Sequence, residues 1–279
     1  MRSATTRITS QSDSALLGVV QPVLAGMRRG ALKDALTRSF VEEEESLRTI
    51  EGCFVQLTSK RHGIEPLKYF FQSWSQTNNS AASVSGLASR ITLAAMRLPD
   101  NAAKFAYFSV VSSLQRITDE DLGAYGGVLH SDLYYRMATT ICGDDAWLSK
   151  RYCLAAADEF RAWRDHQRLR ERDLLNGLLH TLIHEVYTHG EVEIIHPICQ
   201  AWLPAHMEIP VHESRKVLAW ITVHTGGTES NHFRHATDAV EHYGEAAGVP
   251  IDPAAAKDLF KGYLRRKAAA MEELTPLLQ

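Results

Sequence analysis

The sequence lacks several features that would assign a function directly. Its 30 basic side chains do not outnumber its 33 acidic ones, and the net charge is −3. A basic excess or stripe is the usual mark of nucleic-acid binding, so this class is disfavoured. No apolar run reaches the roughly 18 residues of a membrane span. Residues 1–14 lack the apolar core and cleavage site of a secretion signal, and we expect them to form a frayed tail.

Paired cysteines and the common nucleotide motifs are also missing. The four cysteines (Cys53, Cys142, Cys153 and Cys199) are scattered in apolar surroundings and form no CxxC pair. This pattern favours free thiols in a reducing cytoplasm over a disulfide framework or a zinc cluster. The sequence contains no GxGxxG, GxxxxGK[ST] or GxSxG, which removes the simplest nucleotide-binding and hydrolase interpretations.

Helical periodicity dominates from residue 15 onward. We find no alternating strand pattern and no Asn-Gly or Asp-Gly hairpin. Apolar residues recur at three- and four-residue spacing in most segments, and no repeat of solenoid length is visible. The sequence therefore predicts an all-α fold, with residues 15–279 forming a single domain of eight or nine helices.

Histidine is the residue present in excess. Twelve of the thirteen histidines lie at or after residue 130. Carboxylates and imidazoles on facing helices of an all-α protein can build a di-iron or di-manganese site. Oxygen and nitrogen donors without thiolate favour iron or manganese over structural zinc. Three segments could supply such donors.

The first segment surrounds a glycine-rich break at residues 118–127. Glu120 is expected near the end of one helix, and His130 opens the next. The break allows the two donors to turn toward one point. The alternative is an acidic helix end and a helix-opening histidine, both of which are common on protein surfaces.

The second segment contains His189, Glu191, Glu193 and His196. Residues 189, 193 and 196 share one helical face, and Glu191 points nearly opposite Glu193. Only one of the two glutamates can therefore join a site, and a carboxylate beside the apolar Ile194 and Ile195 needs a partner that a metal can provide. The alternative is a core histidine hydrogen-bonded to a glutamate.

The third segment contains His224, Gly226-Gly227, Glu229 and His232. Two glycines inside a helical pattern cost about 1 kcal/mol each relative to alanine, so they need a structural reason. A π-bulge at the glycines would bring the three donors to one side. Without the bulge, His224, Asn231, His235 and His242 instead share one helical face, and the periodicity leaves both arrangements open.

A nearby cluster, His180, His184 and Glu185, does not follow the zincin order His-Glu-x-x-His. We interpret these three residues as packing or as support for the ligands. His189 and His196 are further candidates for holding ligands in place.

Together the three segments resemble the haem-oxygenase-like diiron oxidases and oxygenases. Glu120-Asp-Leu-Gly resembles the family's acidic pair, and His130 the residue that opens the following helix. Glu193, four residues before Pro197, resembles the second glutamate. Glu229-Ser-Asn-His232 resembles the final Asp-x-x-His, with Glu in place of Asp and with His224 one residue further away than the family's spacing.

The resemblance implies a haem-oxygenase-like helical bundle that binds two Fe(II) ions and uses O2 as co-substrate. The metal ligands it implies are Glu120, His130, Glu193, His224, Glu229 and His232, with Glu120, Glu193 and His232 as the catalytic set. We expect a small amino-acid-derived substrate, and N-oxygenation or oxidative C–N or C–C cleavage in specialised metabolism. An external electron donor and a homodimer are compatible with the family.

Two other functions remain open on the sequence. One is a metal-free enzyme of the same fold, such as a thiaminase-like hydrolase or a cofactorless oxidase. The other is a non-catalytic helical binding protein, in which the three glutamates would lie apart on the surface.

Overall fold

The computed structural model describes residues 14–124 and 127–279, in which all regular secondary structure is helical and no strand occurs. The all-α prediction is confirmed for these residues. The predicted tail at residues 1–14 lies outside them except for Ser14, whose hydroxyl accepts a hydrogen bond from Leu17 at the start of the first helix. Residues 125–126 of the glycine-rich break also lie outside.

The described residues form thirteen α-helices instead of the expected eight or nine. They are α1 (Ala15–Ala25), α2 (Ala31–Glu42), α3 (Glu44–Thr58), α4 (Ile64–Asn78), α5 (Ala81–Ala95), α6 (Asn101–Asp121), α7 (His130–Cys142), α8 (Ala155–Leu169), α9 (Leu174–His206), α10 (Val211–Val217), α11 (Ala219–Val223), α12 (Gly227–Ala247) and α13 (Pro253–Leu274). Short 3-10 turns follow α7 and α13. Part of the excess arises because the chain from Val211 to Ala247 is divided among three helices, α10, α11 and α12.

Helix α9 lies at the centre of the molecule. It contacts α1, α8, α12 and α13, and nearly all its residues from 175 to 192 are buried. Its sequence is apolar on every side, which is typical of a helix surrounded by other helices. Buried side chains from α1 to α13 join it in one continuous hydrophobic core. Polar groups on α9 are therefore held in fixed positions inside the protein.

The link between α6 and α7 turns sharply at Gly123. This residue has a φ of +71°, and a Cβ placed on it would collide with the backbone of Val128. Only glycine fits this close approach without strain. The turn brings the start of α7 back beside the end of α6.

The glycine pair at 226–227 lies where one helix ends and the next begins, and it does not form a π-bulge. Helix α11 ends at Val223, His224 caps it, and α12 begins at Gly227. Gly226 adopts φ +68° and ψ −123°, a conformation essentially restricted to glycine. The break removes the constraint of a single helical periodicity, so His224 need not follow the stripe on α12.

None of the helices in the described part of the chain combines the length and hydrophobicity required to cross a membrane.

Candidate metal centre

Three donors from three elements meet beside the end of α6. Nδ1 of His130 lies 3.1 Å from Oδ1 of Asp121 and 3.1 Å from Nε2 of His224. The distance from Asp121 Oδ1 to His224 Nε2 is 3.8 Å. Asp121 is the last residue of α6 and His130 the first of α7, so the turn at Gly123 creates this group.

A second group of donors lies deeper, between α9 and α12. Nδ1 of His232 lies 3.6 Å from Oε2 of Glu185 and 3.8 Å from Oε1 of Glu229. Glu229 and His232 are three residues apart on α12 and therefore share a face of that helix. All three side chains are at most 5% exposed.

Glu229 connects the two groups. Its Oε1 lies 3.8 Å from His232 Nδ1 in the inner group and 3.8 Å from His224 Nε2 in the outer group. Its Oε2 is buried and has no hydrogen-bond partner among the described residues. A buried carboxylate oxygen without a partner is costly, and a cation is one of the few partners that would satisfy it.

The spacing of the donors fits metal coordination. Oxygen and nitrogen donors bound about 2.0–2.2 Å from a metal ion lie about 3.0–3.5 Å from one another in tetrahedral or octahedral geometry. Asp121, His130 and His224 form one set of donor atoms within 4.8 Å of one another, and Glu185, Glu229 and His232 form another. These residues could therefore hold two metal ions that share Glu229.

Two of the histidines are oriented by hydrogen bonds on the side that faces away from the donors. Nδ1 of His224 lies 2.6 Å from the carbonyl oxygen of Trp220 and can donate a hydrogen bond to it. The lone pair of Nε2 is then free to bind a metal ion. Nε2 of His232 lies 3.1 Å from Oε2 of Glu120, which leaves Nδ1 facing the inner group. Such contacts fix the tautomer and ring orientation of metal-binding histidines.

Burial and charge together perturb the protonation of the site. Burial raises the pKa of Glu229 well above its ordinary value, and the neighbouring Glu185 and Asp121 add to the increase. Burial opposes the charged form of His232, but the carboxylates of Glu120 and Glu185 outweigh it and raise the pKa of His232 to about 12. Without a metal ion, the inner group therefore favours the protonated forms of both Glu229 and His232.

In the outer group, the pKa of the carboxylate is lowered instead of raised. Burial disfavours ionised Asp121, but the hydrogen bond from His130 and the nearby imidazoles of His224 and His232 outweigh it and hold the pKa of Asp121 well below its usual range. The hydrogen bond to His232 likewise lowers the pKa of Glu120. The site thus combines ionised carboxylates with imidazole groups, which is the donor chemistry expected for iron or manganese.

The structure brings together four of the six residues that the sequence suggested as ligands: His130, His224, Glu229 and His232. Glu120 is close but faces the far side of His232, while the adjacent Asp121 faces the donors. Successive residues on a helix are rotated by about 100°, so only one member of the acidic pair can point into the site.

Glu193 and His235 lie apart from both groups of donors. Glu193 accepts a hydrogen bond from the backbone N–H of Gly226 and thereby supports the break between α11 and α12. It lies eight residues after Glu185 on α9, about 12 Å further along the helix axis. His235 is buried, but it does not join either donor set. His196 contacts Gln200 and Thr222 instead of a donor.

Asp121 and Glu185 were not selected as ligands from the sequence, although Asp121 belongs to the acidic pair and Glu185 lies in a largely apolar stretch. Glu185 is the only carboxylate in the buried stretch of α9 from residue 175 to 190. A buried carboxylate needs a partner, and Glu185 is buried whereas Glu193 is only half-buried. Glu191, which is fully buried on the same helix, has its own partner in Lys267 at 3.0 Å.

A cavity of about 510 Å³ opens above the donors. Its floor includes both donor groups, and one wall consists of amide and hydroxyl side chains from the end of α4 and the start of α5. The opposite wall is aromatic, formed by Tyr134, Tyr135, Trp147 and Trp220. No lysine or arginine appears among the described residues that line it. The volume is within the range of small-molecule sites.

The sequence matches none of the protein-family models and none of the curated proteins with which it was compared.

Proposed function

We propose that the protein is a non-haem diiron oxidase or oxygenase that uses O2 to oxidise a small, polar, amino-acid-derived substrate. The observation that carries this proposal is the sharing of Glu229 between two donor sets at the floor of a cavity. The resemblance to the haem-oxygenase-like diiron proteins supports it, since Asp121 and Glu185 supply the carboxylates that Glu120 and Glu193 do not.

The residues present fit two ferrous ions. Asp121, His130 and His224 would hold one ion, Glu185 and His232 the other, and Glu229 both. When bound, the two ions supply the electrons and the open coordination positions needed to reduce O2. The three carboxylates balance most of the charge of two divalent cations, so the metals would relieve the repulsion that keeps a proton on Glu229.

The protein's own groups prepare the site for this chemistry. Glu120 and the carbonyl of Trp220 orient the two histidines. The burial of Glu185 and Glu229 excludes water from the inner group and strengthens electrostatic interactions there. Neutral amide and hydroxyl groups, such as those of Gln76 and Asn79, can recognise a polar substrate by hydrogen bonding.

Iron binding by matched variants tests the proposal. The metal-free protein is mixed with excess Fe(II) without oxygen, unbound iron is removed, and the iron retained per chain is measured. We expect two ions in the wild type and the Glu193→Gln variant, and a loss of at least one in Glu185→Gln. Equal iron content in the two variants, or no retained iron in the wild type, would reject this site.

Oxygen uptake then tests the reaction. The iron-loaded protein is mixed with candidate amino acids and amines, and O2 consumption and product mass are followed. We expect substrate-dependent uptake in the wild type and none in Glu185→Gln. Turnover of a substrate by the metal-free protein at the same rate would favour the metal-free enzyme instead.

A further inference from the structure

Four aromatic rings form a continuous path from His224 to the protein surface. The ring centroids of His224 and Trp220 are 4.8 Å apart, those of Trp220 and Tyr134 are 5.0 Å apart, and those of Tyr134 and Trp147 are 5.9 Å apart. The last step, from Trp147 to Tyr135, is 6.2 Å. Every step is a direct ring contact, so no gap in the path requires a long electron transfer.

The members of this path differ in what they can do with a proton. Tyr134 is buried and donates its hydroxyl hydrogen to the backbone carbonyl of Phe71, a weak base that cannot remove the proton. Tyr135 is 39% exposed, so its hydroxyl can release a proton to water. Oxidation of tyrosine is favourable only when the phenol loses its proton. Tyr134 can therefore pass a hole onward, whereas Tyr135 can retain it.

We propose that Trp220, Tyr134, Trp147 and Tyr135 form a redox relay that carries oxidising equivalents from the metal centre to the surface. The proposal rests on the proposed function, because O2 reduced at the centre is the source of the oxidising equivalents. When no substrate is bound, the relay allows the oxidised metal centre to be reduced before its own ligands are oxidised.

The relay needs an external source of electrons, and a thiol in solution can act as this reductant. One electron moves inward along the rings and reduces the oxidised centre by one equivalent. Tyr135 loses that electron and releases its phenolic proton to water, forming a tyrosyl radical. A thiolate in solution then gives one electron to the radical, which regains a proton. Two thiyl radicals combine to a disulfide, so two thiols are consumed for every two electrons delivered.

A test on the metal-free protein isolates the relay from the metal chemistry. Azide radicals generated by pulse radiolysis remove one electron and one proton from tryptophan, and the radical then passes to tyrosine inside the molecule. Trp163 lies outside the path and is only partly buried, so every protein in the experiment carries Trp163→Phe. The tryptophanyl and tyrosyl absorption bands are followed in time.

We expect the tryptophanyl band to convert to the tyrosyl band at a rate independent of protein concentration. The rate should fall by an order of magnitude in Tyr135→Phe and in Trp147→Phe. The matched control is Tyr69→Phe, because Tyr69 packs on Tyr152 away from the path. Equal rates in Tyr135→Phe and the control would overturn the relay and leave the aromatic residues as a wall of the substrate cavity.

A second measurement links the relay to the centre. Iron-loaded protein is exposed to O2 and a thiol without substrate, and oxidised residues are mapped by mass spectrometry. Oxidation of Trp220 and Tyr134 should accumulate in Trp147→Phe and not in Tyr69→Phe. If the wild type binds no iron, the proposed function fails, but the radiolysis result still decides whether the rings form a relay.

Discussion

Replacing Glu229 by glutamine should stabilise the metal-free protein while abolishing its stabilisation by metal. Burial raises the pKa of Glu229 in the folded metal-free protein, so Glu229 stays protonated there at pH values at which it is already ionised in the unfolded chain. Unfolding therefore releases a proton, and this group reduces stability as pH rises above about 4.5 and up to its folded pKa. Glutamine has nearly the same shape as the protonated acid and does not ionise.

The magnitude follows from proton linkage. Each pH unit in this range changes the free energy of unfolding by about 1.4 kcal/mol. Over one pH unit within this range, the advantage of Glu229→Gln should therefore grow by about 1.4 kcal/mol. For a chain of this length, that corresponds to a difference in Tm of roughly 3 °C.

The assay is thermal unfolding in the presence of a chelator at several pH values, repeated after addition of Fe(II) without oxygen. The wild type should gain about 2.7 kcal/mol when free metal is a hundredfold above Kd, and Glu229→Gln should gain much less. Glu193→Gln is the matched control and should follow the wild type. A lower Tm of metal-free Glu229→Gln at every pH, or an undiminished response to metal, would refute the reasoning.

Three further outcomes are expected. Metal binding near pH 7.5 should release protons from Glu229 and His232, because their pKa values are raised, so affinity should increase with pH and the heat of binding should depend on the buffer. Lys267→Met should cost about 3–5 kcal/mol in chemical denaturation by leaving the buried Glu191 carboxylate without its cation, and a second change, Glu191→Gln, should recover most of that loss. Gly226→Ala should destabilise the protein by about 1–3 kcal/mol and weaken metal binding more than an alanine at Gly227, since only Gly226 has a positive φ.

The sequence allowed the helical class to be predicted because helical periodicity extends along most of the chain. It also directed attention to His130, Glu229 and His232, since each lies at a helix start or on a helix face that spacing rules describe. The position of His224 could not be settled in this way. It depends on the interruption of the helix at Gly226. The backbone angles of Gly226 follow from tertiary packing, and sequence periodicity does not encode them.

The spacing of residues along the sequence also could not decide which of two carboxylates on the same helix is the ligand. Glu120 and Asp121 are adjacent, and only the end of α6 and the turn at Gly123 determine which of them faces His130. Glu185 and Glu193 are both on α9, and the neighbours that bury the first are supplied by other helices. The local sequence shows only the immediate neighbours of each carboxylate, whereas its burial depends on long-range contacts.

The unequal exposure of the two donor groups has a consequence for the order in which ions enter and leave. Asp121 and His130 retain 17% and 15% side-chain exposure toward the cavity, whereas Glu229 and His232 are each 1% exposed. An ion arriving through the cavity meets the outer group first, and the inner position is filled beyond it. The two positions should therefore exchange at different speeds, with the inner ion held long after the outer one has been removed by a chelator.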